Sequence, residues 1–176
     1  MRVSIIEYYP DSVLGEIVCS VTKLPHSHTE ILIDDWLCGT GTKEAPFGYS
    51  MVQCGYDFEN HAGRQGRKYD IVSLDIPYEK KFAMLDFWRK KLTWKYSVLR
   101  ALTFPIHVWM LPFYRKYYER TGKVFAPNMT GILMKAYVCS EAVDLCLREG
   151  GYDYFPWLSE RVVYPGMFWK YKGGRT

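Results

Sequence analysis

Long apolar runs, paired cysteines and strong net charge are all missing from this chain. The five cysteines (Cys19, Cys38, Cys54, Cys139 and Cys146) are odd in number and widely spaced, which argues against a disulfide framework. No CxxC pair or His/Cys cluster has zinc-ligand spacing, so neither a metal nor another cofactor is expected. The longest apolar-rich stretch, residues 101–113, is too short to span a bilayer and is broken by Pro105, His107 and Pro112. The opening, MRVSIIEYYPDS, has neither the basic start nor the apolar run of a signal peptide. The formal net charge is only +4, with acids scattered among the basic residues. Arg89, Lys90 and Lys91, followed by Lys95 and Arg100, form the densest basic stretch; it reads as a solvated helix face, not a nucleic-acid surface. A reducing, cytoplasmic setting is the expectation.

What the chain does have is aromatic surface. Its 15 Tyr, 9 Phe and 6 Trp give more flat apolar area than a minimal core of this size needs, and a binding groove is one use for it. No repeat, low-complexity tract or linker divides the 176 residues, so one domain over 1–176 is expected.

The patterning mixes strands and helices. VSIIEY at 3–8 reads as a strand, and Pro10-Asp11 opens a helix over about 11–23 with Val13, Leu14, Ile17, Val18 and Val21 as its apolar stripe. HTEILID at 28–34 and WLC at 36–38 read as a hairpin turning at Asp34-Asp35. Further strands are expected at 50–54 and 69–76, then a helix over about 78–92 with Phe82, Leu85 and Trp88 on one side. Residues 94–122 are aromatic, basic and broken by prolines, as helical pieces packed over the core would be. Cys139, Ala142, Val143, Cys146 and Leu147 make one helical stripe, which Gly150-Gly151 stops. The tail, VVYPGMFWKYKGG, reads as a last short strand or extended segment.

Cys139 is the most informative position. It opens an amphipathic helix, where a thiol meets the positive end of the helix dipole and unbonded backbone N–H groups. Both favour the thiolate, the nucleophilic form. Glu141 and Asp144 stand near the same helix end but are expected to point away from the stripe. On local pattern alone Cys139 also reads as a small buried apolar residue, as Cys146 does. His28 is the best candidate base. Strand alternation places His28, Glu30 and Leu32 on one face, so Glu30 is placed to tune the imidazole. His26 precedes His28 by two positions and shares that alternation, while His61 and His107 read as structural or exposed.

Two segments carry a resemblance. SVLGEIVCSVTKLPHSHTEILIDD runs helix, turn, Ser-His and strand; YVCSEAVDLCLREGG runs apolar approach, Cys-Ser-Glu and helix. In this order, His strand first and Cys helix late, the chain resembles the circularly permuted branch of the NlpC/P60 papain-like hydrolases, above all YiiX-like members and phage-encoded relatives. YDIVSLDIP resembles that family's strand before a helical insert, which would here be aromatic and cover about 94–130. SERVVYPGMFW resembles its closing strand.

The resemblance implies an α+β permuted papain-like fold with a central antiparallel sheet and packed helices. It implies a cysteine hydrolase, a peptidase or amidase cleaving an amide or ester bond, with Cys139 as nucleophile and His28 as base. Family members carry a third polar residue on the strand after the His strand, near Gly39 or Thr40 here. Thr40, Thr42, Glu44 and Glu30 are the substitutes, and Glu30 ranks first because it shares the His28 face. Implied substrates are peptide, peptidoglycan or acyl-lipid, with no nucleic acid and with room for peripheral membrane contact. The alternative is an inactive binding or virion-associated module of the same fold. A phage origin would place either in a host cytoplasm or a virion.

Overall fold

A computed structural model describes residues 2–41, 45, 47–55, 57, 58, 60, 61, 66–101, 103–125 and 137–171. Strand β1 (Arg2–Tyr8) is buried from Val3 to Tyr8, so both of its faces are covered, and its near-continuous apolar run follows from that. It lies between β2 (His28–Ile33) and β5 (Tyr69–Asp75), antiparallel to both, with Tyr8 opposite His28 and Tyr69. Strand β3 (Trp36–Thr40) folds back from β2 through a tight turn with Asp34 at φ +49°. Strand β4 (Tyr49–Gln53) completes a five-stranded antiparallel sheet of order β4-β3-β2-β1-β5. With its helices the architecture is α+β, and strands and helices mix as the patterning implied.

Alternation along the strands sorts the core. Val3, Ile5, Ile31, Ile33, Cys38, Val72 and Leu74 pack with Ala142, Val143, Cys146 and Leu147 of α5 (Cys139–Glu149). Met84 and Trp88 of α2 (Lys81–Lys91) join the same cluster. Ile6, Tyr8, Leu37 and Phe58 form a smaller cluster. Helix α5 is buried on almost every side, Glu141 and Asp144 included. It is the central helix, laid across β2 and β3.

Several expectations need correction. Helix α1 (Val13–Thr22) forms where expected, with Ser12 Oγ accepting from the Gly15 N–H at 3.2 Å. Of the expected stripe, however, only Val18 is buried; Val13, Leu14 and Ile17 face solvent. The helix docks instead through Gly15, Val18 and Thr22, where a Cβ at Gly15 would meet Ser27 and Pro10 at 3.0–3.2 Å. Small residues thus set the docking face by close approach, and the larger apolar side chains are turned outward. Phe82 is likewise exposed, because a 3₁₀ turn (Tyr78–Lys80) delays α2 and rotates Met84, Leu85, Phe87 and Trp88 inward.

The closing strand is absent among the described residues. The segment forms a 3₁₀ turn (Glu160–Val162) and a short helix, α6 (Met167–Lys170). Pro165 has no N–H for a ladder, and Gly166, at φ +86°, gives its N–H to Glu7 Oε2 at 3.0 Å. Residues 94–122 are helical as expected, forming α3 (Val98–Ala101) and α4 (Phe104–Thr121), which packs against α1. Residues 126–130 of the expected insert lie outside the described residues. Among the described residues no helix is long and apolar enough to cross a membrane.

Candidate active site

Cys139 is the first residue of α5 and is 1% exposed. Its helix start is fixed from three directions. Glu141 reaches back so that its Oε2 accepts from the Val138 N–H at 3.1 Å, a device that satisfies one of the helix's orphan donors. The Ser140 hydroxyl donates to the Val163 carbonyl at 2.8 Å. The Tyr49 hydroxyl, from β4, reaches the Val138 carbonyl at 3.5 Å.

Sequence reasoning placed Glu141 and Asp144 away from the buried stripe. Both are buried, because each has a guanidinium partner. Arg100 forms an ion pair with Glu141 and also donates to the Arg161 carbonyl at 2.7 Å; Arg148 Nε meets Asp144 at 2.8 Å. Burial pushes the Glu141 carboxyl up, while Arg100 and the Val138 N–H pull against it. Arg100 therefore leaves the solvated basic face expected for it; Arg89, Lys90 and Lys95 stay on the surface. Its cation offsets an acid that would otherwise stand uncompensated beside Cys139.

His28 opens β2, and its ring lies close enough to the Cys139 side chain for the sulfur to act on its charge. Its Nε2 lies 3.5 Å from Glu30 Oε1, and its ring stacks on Tyr8, its cross-strand neighbour, at 5.8 Å between centroids. Burial opposes a charge on this imidazole. The Cys139 sulfur and the Glu30 carboxylate outweigh it and raise His28 from 6.5 to about 10. The structure thus brings Cys139, His28 and Glu30 together.

The third position has a geometric explanation. Register pairs Ile31 with Cys38 and Leu32 with Leu37, so the next step sets Glu30 against Gly39. A Cβ at Gly39 would lie 2.5 Å from Glu30 Cγ and 2.7 Å from its Oε1. The Glu30 side chain occupies the volume that a side chain at position 39 would need. A carboxylate on the His strand thereby stands where a residue of the next strand is missing. Thr40 lies beside His28 without contacting it through any hydrogen bond, and Thr42 and Glu44 lie outside the described residues.

The other candidates separate from this cluster. His26 is buried before β2, with Nε2 2.8 Å from Asp70 Oδ2, which also accepts from the Tyr9 hydroxyl at 3.1 Å. His107 sits inside α4 with Nδ1 3.3 Å from the Tyr114 hydroxyl; burial and Arg100 lower it to about 4. His61 lies in the loop after Phe58. Cys146 is fully buried, its thiol 3.8 Å from the Met84 carbonyl, and burial pushes its pKa up. Among the described residues no His/Cys/Asp/Glu group is arranged to hold a metal ion.

Sequence reasoning missed the roles of Arg100 and Tyr96, and read Gly39 only as the place where the third residue was expected. Tyr96 stands beside His28 in one cleft, and burial, then Cys139 and Glu141, raise its pKa. A glycine inside a strand is a legible sign of close approach; nothing local marks Arg100 or Tyr96. No protein-family model matches this chain, and no curated protein or solved structure matches it either.

Proposed function

We propose that this chain is a cysteine hydrolase of the permuted NlpC/P60 papain-like kind, cleaving an amide or ester bond as a peptidase or amidase. One observation carries the reading: a cysteine at a helix N-terminus stands beside a strand histidine whose Nε2 lies 3.5 Å from a buried carboxylate. The Cys139 thiolate attacks the carbonyl carbon, a C–S bond forms, and the carbonyl electron pair moves to oxygen. The Cys139 N–H, at the helix start, is placed to donate to that oxyanion. As the tetrahedral species collapses, the C–N or C–O bond breaks and protonated His28 gives its proton to the leaving group. Water then attacks the thioester, His28 takes its proton, and the acid and free thiolate are released. Glu30 stabilises the imidazolium and fixes its orientation.

The setting expected for such an enzyme is reducing, the host cytoplasm or a virion if the gene is phage-borne. The second reading, an inactive module of the same fold, is favoured by the 1% exposure of Cys139. One experiment separates the two. The protein is treated with a limiting thiol reagent and mapped by mass spectrometry, and hydrolysis of a peptide and acyl-ester panel is followed beside Cys139→Ala and His28→Asn. The hydrolase labels at Cys139 before Cys146 and loses turnover in both variants. Labelling of Cys139 no faster than of the half-buried Cys19 and Cys54, with no turnover that depends on it, overturns the enzyme reading.

A further inference from the structure

A cleft of ≈ 220 Å³ opens beside His28, between the start of α1, the end of β3 and the loop before β4. Leu14, Val18 and Phe47 give it apolar lining, Asp11 and Arg67, 3.0 Å apart, a polar one, and Thr40 and Tyr96 line it with His28. Two features of this lining are costly to the fold. Thr40 is 1% exposed, yet its Oγ1 has no hydrogen-bond partner among the described residues. A buried hydroxyl left unbonded costs stability. Phe47 has φ +60° and is 68% exposed, a conformation and a setting that both disfavour a large aromatic residue. Its carbonyl accepts from the Tyr96 N–H at 2.7 Å, which pins it there. That hydrogen bond thus keeps Phe47 in the lining of the cleft despite the strain.

We propose that this cleft is the substrate subsite of the hydrolase, and that it takes an apolar group of about one side chain's bulk next to the scissile bond. Phe47 and Leu14 form its rim and cover the apolar group, and the Thr40 hydroxyl bonds a polar atom beside that bond. The volume lies below the range of drug-sized sites, so a long chain finds no further contact within it. The inference rests on the hydrolase reading for the chemistry at His28 and Cys139. The apolar group has two sources, an apolar amino-acid residue or a short fatty acyl chain.

The test measures binding separately from cleavage. Acetamide, butanamide, hexanamide, hexadecanamide and N-acetyl-leucinamide are titrated into the Cys139→Ala protein by ligand-observed NMR. A methylene taken fully out of water is worth about fourfold in affinity. Affinity is therefore expected to rise at least about tenfold from acetamide to hexanamide and to gain nothing further at hexadecanamide. The tighter of hexanamide and N-acetyl-leucinamide identifies the source. Phe47→Gly relieves the backbone strain and Thr40→Val removes the unbonded hydroxyl, so each keeps or raises Tm. Each is nonetheless expected to weaken hexanamide at least about fivefold, a pairing that a packing role does not produce. A flat series, or wild-type affinity in Phe47→Gly, overturns the subsite. Turnover that depends on Cys139 beside a flat series leaves the hydrolase standing without this subsite. The graded series without any turnover leaves the subsite standing and removes the hydrolase.

Discussion

Gly39→Ala is the smallest change that reaches Glu30, the third residue of the proposed catalytic site, without altering it. The added Cβ would lie 2.5, 2.7 and 2.9 Å from Glu30 Cγ, Oε1 and Cδ, so Glu30, itself 1% exposed, must move. Forcing a methyl into a filled site costs about 1–3 kcal/mol. The displaced carboxylate also leaves His28, whose Nε2 lies 3.5 Å from it. A hydrogen bond to a charged group is worth about 1.5–3 kcal/mol, so kcat/KM is expected to fall about ten- to hundredfold. His28, at about 10 with Glu30 in place, loses one of the partners that raise it. The alkaline limb of the pH–rate profile therefore moves down by about one unit or more. Adding Glu30→Ala removes the clash but not the defect at His28. In a double-mutant cycle Gly39→Ala should then cost little stability on the Glu30→Ala background, a coupling of about 1 kcal/mol or more. Denaturant melts and pH–rate profiles on the four proteins read both effects. Equal stability loss on both backgrounds, or an unmoved alkaline limb in Gly39→Ala, refutes the reasoning.

Two further perturbations test the frame around the site. Arg100→Met leaves the Glu141 carboxylate buried without its guanidinium at the start of α5. It should cost about 3–5 kcal/mol in urea melts, most of it recovered by adding Glu141→Leu; a loss under about 1 kcal/mol contradicts the role given to Arg100. Glu7 is fully buried, bonded by the Thr29 hydroxyl at 2.8 Å and the Gly166 N–H at 3.0 Å, and burial raises it from 4.5 to about 7. Between those values the folded chain holds a proton that the unfolded chain has released. This contribution is thus full below the unfolded pKa and is lost as pH rises through about 7, a difference of about 3 kcal/mol. Glu7→Gln should remove that slope; melts of the two proteins at pH 4.5 and pH 8 that fall in parallel contradict it.

Much of the fold was legible because the sheet is built from short, strongly patterned strands. VSIIEY, HTEILI and YDIVSLD each read correctly from composition and alternation. The Cys139 helix was equally clear from its stripe and its glycine stop. Misreadings arose where a long-range contact outweighed the local pattern. The apolar residues of α1 suggested a buried stripe, but Gly15 docks more closely than they can. VVYPG looked extended, but the Glu7 carboxyl, far away in sequence, captures Gly166. At the site, His28 and Glu30 were found because one strand carries both. Arg100 was invisible because its value lies in a partner 41 positions away. Gly39 was noted as a gap in the expected triad; only the cross-strand geometry shows the gap filled by Glu30.

The account stands on the contact between His28 and Cys139, and the most direct measurement is the NMR titration of the His28 ring in the wild type and in Cys139→Ala. With the sulfur beside it His28 should hold its proton to about pH 10. Loss of the sulfur should bring its titration down by more than one unit. A His28 that titrates near 6.5 in both proteins would contradict the pairing, and with it the site.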